Sequence, residues 1–361
     1  MSTISDVARA AGVSVATVSR ALRGVSTVSS QTRERVLKAA DELHYVASPM
    51  AASLASGRTR VIGLVTPFLT RWFFATAVSA VEKALREFDF HVLLIDLEAD
   101  SMLERRALTN KMLSKRVDGL ITINVPIRPE ELTLLERLGL PVVAIGNPVP
   151  GHPLVHIDDA LAVRTGLDHL VNLGHTRIGY AGAVPARAEH RLVPRQRLTG
   201  FRDGMTEHGL AIQESWVMSC DWSAQGAARR ASELFATDNV PTAIMCGSDE
   251  MAIGVMSEAI SAGLRVPEDL SVVGVDDYYL SDVVRLTTVR QDVIAQGEAA
   301  ATTLLHTLLA TSTGSAPDLP SGMSEDQVLT VPTTLVRRGT ASRIRSGTGA
   351  PASFLGSPTE H

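Results

Sequence analysis

The 361-residue chain has only two cysteines, Cys220 and Cys246, both in apolar or strand-like settings, so no disulfide framework is expected. Its histidine-containing segments, such as Gly174-His175 and Glu189-His190, lack the spacing of metal ligands. No apolar run reaches the roughly eighteen residues that a membrane helix needs, and no basic-then-apolar leader opens the sequence. A cytoplasmic protein with no membrane contact, no metal and no cofactor is expected. The phosphate-cradling patterns G-x-G-x-x-G and G-x-x-x-x-G-K-[ST] follow no strand-like run, and no G-x-S-x-G elbow occurs. These absences argue against an enzyme. Aromatic residues make up only 4 %, so a tryptophan (one of three) at the end of a strand stands out.

Charge is present in both signs but unevenly placed. The net charge is −5, yet residues 1–60 hold eight Lys or Arg against four Asp or Glu, a net +4 that leaves −9 on the remainder. A basic head on an acidic body suits a phosphate-binding module joined to a domain that does not touch nucleic acid. At this length two or three domains with sizeable cores are expected.

The head has the pattern of a helix-turn-helix. Thr3 is placed to cap a first helix, with Asp6 in the opening turn where a negative charge suits the helix dipole. Ile4, Val7, Ala8 and Ala11 make one apolar stripe at helical spacing. Gly12 supplies the turn, Val13 plugs between the helices, and Ser14 caps a second helix with Val18, Ala21 and Leu22 inside. Val15, Ala16, Thr17, Ser19 and Arg20 face outward. Small and hydroxylic residues let a helix lie deep in the DNA major groove, and Arg20 can reach guanine edges bidentately. Thr17, Ser19 and the amides near Ser14 suit phosphate oxygens. The competing reading is an ordinary surface hairpin.

A third helix is predicted from about Ser30 to Leu43 behind a Ser29 cap, burying Val36, Leu37, Ala40 and Leu43. Ser48-Pro49 then opens a very short helix that carries Met50, Ala51 and Leu54 and ends near Gly57. A helix this short is marginal alone and needs a symmetry mate or DNA to hold it.

From Thr3 to Leu54 the sequence resembles the lac/galactose repressor family of bacterial transcription factors, and the resemblance continues to about Ala341. It implies a hinge that folds on the operator, with Leu54 as a minor-groove wedge, and it makes Val15, Ala16 and Arg20 the base readers. Two departures appear here. Ala47-Ser48 replaces the family's usual Pro-Asn, with the proline displaced to Pro49, and His44 stands where glycine or asparagine usually ends the third helix.

Beyond residue 60 strands and helices alternate. Val61–Val65, His91–Ile95, Gly119–Ile123 and Pro141–Ile145 form one series of apolar strands, with a helix from about Phe73 to Phe88 after the first. Arg177–Tyr180, Trp216–Ser219, Ala243–Cys246 and Ser271–Val275 form a second. Continuous apolar strands separated by helices predict an α/β fold of parallel sheets covered on both faces. The expected architecture is a helix-turn-helix head of three helices over 1–46 and a hinge and linker over 47–60. A body like that of periplasmic sugar-binding proteins follows over 61–340, made of two doubly wound parallel-sheet subdomains. Their expected limits are 61–160 with 291–325, and 161–290 with 326–340. Residues 341–361, rich in Gly, Ser, Pro and Thr, are expected to be a disordered tail, and Thr311–Asp326 a mobile loop.

In such sheets ligands bind beyond the carboxyl ends of the strands. Those ends carry Arg71 to Phe74, Asp158-Asp159, Arg195 and Arg197, Trp222, Ser248-Asp249, Asp276-Asp277 and Gln291-Asp292. Carboxylates, guanidinium and a flat aromatic face are what a polyol needs, because hydroxyl pairs bridge to Asp or Arg while a sugar's CH face packs on a ring. The resemblance assigns the effector site to Phe73, Asp158, Arg197, Trp222, Ser248, Asp276 and Gln291. Each has a plainer role open to it. One of Phe73 and Phe74 can be core, Asp158 or Asp249 can simply cap a helix, and Arg195 is a weaker candidate than Arg197. Arg71-Trp72 replaces a common Asn-Pro and Ser248 a common asparagine. Arg71 admits an acidic sugar or sugar phosphate, whereas the several carboxylates point to a neutral sugar or polyol.

The resulting expectation is a repressor of sugar-utilisation genes, released from a palindromic double-stranded operator by a small-molecule effector. Two heads on two half-sites require a homodimer. The dimer face is placed around Val78 to Leu85, and without leucine heptads in the tail no tetramer is expected. A co-repressor-dependent regulator answering to a non-sugar metabolite is the alternative, and a glycosidase-like carboxylate pair a distant one.

Overall fold

The computed structural model describes residues 2–22, 27–45, 58–97, 105–183, 192–310 and 316–344. The predicted short helix with Leu54 and most of the 341–361 tail lie outside them. The chain divides into two compact units, Met1–Arg60 and Val61–His361.

In the first unit, α1 (Ile4–Ala11), α2 (Val15–Leu22) and α3 (Ser30–Glu42) enclose a small core of Val7, Ala8, Ala11, Val18, Ala21, Val36, Ala39 and Ala40. Thr3 and Asp6 form a reciprocal capping box: the Asp6 amide donates to Thr3 Oγ1 at 3.3 Å and the Thr3 amide to Asp6 Oδ2 at 2.9 Å. Gly12 closes α1 at φ 64°, a left-handed turn that glycine adopts without strain. The buried face of α3 differs from the expected one. Leu37 is 49 % exposed and Ala39 takes the inward place, because Val36, Ala39 and Ala40 share a face at helical spacing and Leu37 lies a 100° step off Val36. His44 adopts φ 46° while the Tyr45 amide reaches back to the Ala40 carbonyl at 2.8 Å. A left-handed residue closes α3, which is why glycine or asparagine suits this place and histidine is a departure.

The second unit contains, among the described residues, two six-stranded sheets. The first is built from β1 (Val61–Thr66), β2 (His91–Asp96), β3 (Gly119–Ile123), β4 (Val142–Ile145), β5 (Leu154–His156) and β11 (Val328–Thr330), in the order β11-β5-β4-β3-β1-β2. The second is built from β6 (Ile178–Gly182), β7 (Val217–Ser219), β8 (Ala243–Cys246), β9 (Ser271–Asp276), β10 (Thr287–Gln291) and β12 (Thr333–Val336), in the order β12-β10-β9-β8-β6-β7. All pairings are parallel except β10 with β12.

Helices cover both faces, as apolar parallel strands require. On the first sheet these are α4 (Trp72–Arg86), α5 (Asn110–Leu113), α6 (Pro129–Leu138) and α12 (Val293–Leu309). On the second they are α7 (Asp159–Asn172), α8 (Leu192–Glu207), α9 (Ala224–Phe235) and α10 (Asp249–Ser261), with the short α11 (Tyr279–Val283) following β9. Alternate strand residues feed opposite cores: in β8, Ala243 and Met245 join one cluster and Ile244 and Cys246 the other. Cys246 and Cys220 are both buried free thiols.

The chain passes between the sheets after β5, after β10 and between β11 and β12. The last crossing corrects one expectation. Residues 326–340 are not all in the second subdomain, since Val328–Thr330 pairs with Leu154–His156 and only Thr333–Val336 joins the second sheet. Two strands separated by two residues read as one hairpin-like unit, but here they belong to different sheets.

Candidate functional site

Two features carry chemistry. On the first unit α2 presents Val15, Ala16 and Arg20 to solvent, with Val15 42 % exposed. Thr17 and Ser19 are half-buried. Ser14 begins the helix, its hydroxyl accepting from the Thr17 amide at 3.1 Å and pairing with the Thr17 hydroxyl at 2.9 Å. An exposed valine, alanine and arginine on one helix face are of the kind that a major groove admits.

The second feature is a cleft within the body at the carboxyl ends of both sheets. Phe68, Arg71, Phe73 and Phe74 follow β1; Asn124 follows β3; Gly146 and Asn147 follow β4; Ile157 and Asp159 follow β5. From the other side come Leu192 to Pro194, Arg197, Trp222, Asp276 and Gln291, with Gln296 from α12. The strands turn abruptly here: Asn124, Gly146, Trp222 and Asp276 have φ of 50°, 79°, 65° and 129°. Such backbone costs on the order of 1–3 kcal/mol per non-glycine residue and concentrates at ligand sites. Gly146 is confined by its neighbour as well, since a Cβ there would lie 2.0 Å from Asn124 Oδ1. That oxygen is buried and, among the described residues, without a hydrogen-bond partner.

Arg197 organises the polar floor. Its Nε donates to Asp159 Oδ1 at 2.7 Å, and one terminal nitrogen donates to the Gly247 carbonyl at 2.5 Å and lies 3.6 Å from Asp276 Oδ1. Gln291 donates to Asp276 Oδ1 at 2.6 Å, and Gln296 donates to Gln291 Oε1 at 3.1 Å. The guanidinium carbon also lies over the Trp222 ring, 5.6 Å from its centroid. Burial drives the carboxyls of Asp159 and Asp276 above the usual range, although Arg197 opposes both shifts. Burial works against the charge of Arg197 itself, and the two carboxylates more than offset it. At the mouth, Arg71 donates to the Trp222 carbonyl at 3.1 Å and lies over the Phe68 ring at 4.1 Å. Trp72 meets Tyr278 edge-on at 5.6 Å. The arrangement offers hydrogen-bond acceptors and donors beside aromatic rings.

Of the seven effector positions expected from the sequence, Phe73, Arg197, Trp222, Asp276 and Gln291 line this cleft. Asp158 and Ser248 do not. Asp158 is exposed and caps α7, accepting from the Leu161 amide at 2.9 Å, while its neighbour Asp159 faces the cleft. Ser248 is buried as the cap of α10, accepting from the Met251 amide at 3.3 Å. Both sit where a strand hands over to a helix, and the side chain is engaged in capping that helix instead of lining the cleft. Arg195 is exposed outside the cleft. Asn124, Asn147 and Gln296 were not expected. The first two follow strands directly, a placement that the expectation for Ser248 had already singled out; nothing local marks Gln296, which reaches the cleft because α12 returns across it.

The lacI family of bacterial regulatory proteins matches residues 3–48, and a periplasmic binding protein-like domain matches residues 167–341. Catabolite control protein A of Priestia megaterium is 32 % identical over 302 residues, 82 % of this chain and 90 % of its own. The HTH-type transcriptional repressor PurR of Photobacterium profundum is 33 % identical, covering 85 % of this chain and 92 % of its own. The chain belongs to the lacI family. Among solved structures, the lac repressor dimer bound to operator and the anti-inducer ONPF superposes with a TM-score of 0.79 at 27 % identity, over 94 % of this chain and 99 % of that one. The transcriptional regulator CelR in complex with cellobiose gives 0.65 at 26 %, over 94 % and 100 %.

As a lacI-family protein it is a ligand-responsive transcriptional repressor and not an enzyme. Among the described residues no helix is long and apolar enough to cross a membrane, and no three His, Cys, Asp or Glu side chains are grouped to hold a metal ion.

Proposed function

We propose that this repressor acts in the cytoplasm as a homodimer on a roughly palindromic operator of sugar-utilisation genes, and leaves it when a sugar or related polyol enters the cleft. The observation that carries the reading is the Asp159–Arg197–Asp276–Gln291 network in a cleft that Phe73 and Trp222 also line. Fixed carboxylate, amide and guanidinium groups match vicinal hydroxyls, and the rings match a sugar's CH face. The CelR–cellobiose complex, a relative in fold with a disaccharide bound, supports the ligand class.

Arg20, Val15 and Ala16 read base edges, Ser14, Thr17 and Ser19 hold phosphates, and Leu54 wedges the minor groove. Ligand closes the two subdomains about the three crossings, which changes the spacing of the first subdomains across the dimer and so the packing of the hinges. The coupling is reciprocal: an effector that weakens operator binding is itself bound less tightly on the operator.

Fluorescence anisotropy of a selected palindromic operator, titrated at fixed salt with and without a panel of sugars, tests this. Release by one of them is the expected result. Tightening would make the protein a co-repressor system, and tight DNA binding with no response to any sugar would remove the ligand class.

A further inference from the structure

The charges around the cleft divide into two groups. At the floor, Arg197 is matched by Asp159 at 2.7 Å and Asp276 at 3.6 Å, and Asp276 accepts a further bond from Gln291. At the mouth, Arg71 is half-buried, yet among the described residues its contacts are the Trp222 carbonyl and the Phe68 ring, with no carboxylate in an ion pair. Asp221 and Glu250 act on it only through space, and Asp221 is held by Ser223 at 2.5 Å and Arg229 at 3.1 Å. A guanidinium has five N–H donors, and one terminal nitrogen of this one is committed. Burial already disfavours its charged form.

Of the carboxylates that argued from sequence against an anionic ligand, only Asp159 and Asp276 line the cleft, both tied to Arg197. Asp158 is exposed on its helix cap. Asp277 is held by Arg290 and Arg338, each at 2.7 Å. Asp249 accepts from Ser281, Thr288 and the Tyr278 amide. What remains facing the cleft is a floor of two carboxylates tied to one guanidinium, and at the mouth a cation beside aromatic rings with no ion pair among the described residues. A neutral ligand would desolvate that cation further and return no charge to it, whereas an oxyanion would complete it.

Resting on the polyol reading of the cleft, we propose that Arg71 selects the effector by charge, and that the effector is an anionic polyol, a sugar acid or a sugar phosphate whose oxyanion sits on this guanidinium. The polyol portion lies on the Arg197 floor and the aromatic rings, and the acidic group points to the mouth. Arg71 is a specificity-determining residue in this arrangement, and its tie to the Trp222 carbonyl holds the guanidinium in place for the anion.

The test is calorimetry on the full-length protein at fixed salt with matched probes: neutral hexoses, the corresponding hexonates and hexuronates, and hexose phosphates. At least one anionic probe is expected to bind about 10- to 100-fold tighter than its uncharged parent, the range of a hydrogen bond to a charged group. In Arg71→Gln the two should come within about threefold, and Arg71→Lys should restore part of the preference as a point charge without the fork. Carboxylates or phosphates alone showing the preference would identify the source of the oxyanion. Neutral hexoses binding as tightly as the anions would overturn the role of Arg71 and leave the polyol reading standing. Equal loss of neutral and anionic binding in Arg71→Gln would also overturn it, as the mark of a residue that only shapes the cleft. No binding by any probe would remove the polyol reading and this inference with it.

Discussion

Replacing Arg197 by methionine keeps much of the side chain's volume and removes the cation on which the floor of the cleft is built. Two carboxylates then remain with side chains only 4 % and 11 % exposed, Asp159 and Asp276, and the Gly247 carbonyl loses its donor. Breaking a buried pair by removing one partner costs about 3–5 kcal/mol. For a body of this size that corresponds to a fall in Tm on the order of 10 °C. The pH dependence has a definite sign. Burial already holds both carboxyls above their ordinary values, and without Arg197 both rise further. A carboxyl whose pKa is higher in the folded than in the unfolded chain penalises folding increasingly as pH rises from the unfolded value through the folded one. The deficit of Arg197→Met relative to the parent chain should therefore shrink on acidification from neutral pH towards pH 5, and the double variant with Asp159→Asn should recover part of it at neutral pH. Thermal and urea unfolding between about pH 5 and 8 reads this directly. A variant as stable as the parent, or a deficit that does not change with pH, would refute the electrostatic account of the floor.

Arg20→Ala should cost on the order of 1–3 kcal/mol of operator affinity and relax one base preference, read by anisotropy on single-base operator variants; unchanged selectivity would take Arg20 out of base reading. Trp222→Ala should weaken effector binding on the order of tenfold through loss of the stacking face while leaving ligand-free operator binding intact. A collapse of DNA binding would make that tryptophan structural. Leu54→Ala should reduce specific binding far more than nonspecific binding, and equal losses would argue against a wedge. Gly200→Ala puts a Cβ 2.3 Å from the Ala160 carbonyl where α8 crosses α7, and should destabilise the body by about 1–3 kcal/mol or more. Unfolding at the parent's midpoint would show that the helices separate freely.

Much of the architecture was legible because it rests on local periodicity. The stripe Ile4, Val7, Ala8 and Ala11, the caps at Thr3, Ser14 and Ser29, and the left-handed Gly12 each signal a helix boundary or face within a few residues. The apolar runs of β1, β3, β8 and β9 announced sheets buried on both faces for the same reason. The misreadings share a physical cause. Leu37 looked like core because it is leucine, but three smaller residues at the right spacing fill the space that a compact three-helix head offers. Asp158 and Ser248 were polar residues at strand ends, and the first duty of such a residue is to satisfy the free amides of the helix it begins.

Sequence alone thus determined the helix-turn-helix of the head, the alternation of strand and helix, and the neighbourhood of the cleft, since each follows from spacing along a few residues. Only the tertiary structure decided which member of each adjacent pair lines the cleft: Asp159 and not Asp158, Asp276 and not Asp277. One residue's step turns a side chain by about 100° on a helix or to the opposite face of a strand, and the phase is set by the partner across the cleft. Arg197 captures Asp159 and Asp276, while Arg290 and Arg338 draw Asp277 away. The charge left on Arg71 is likewise a property of the assembled cleft, because it depends on where carboxylates distant in sequence come to rest.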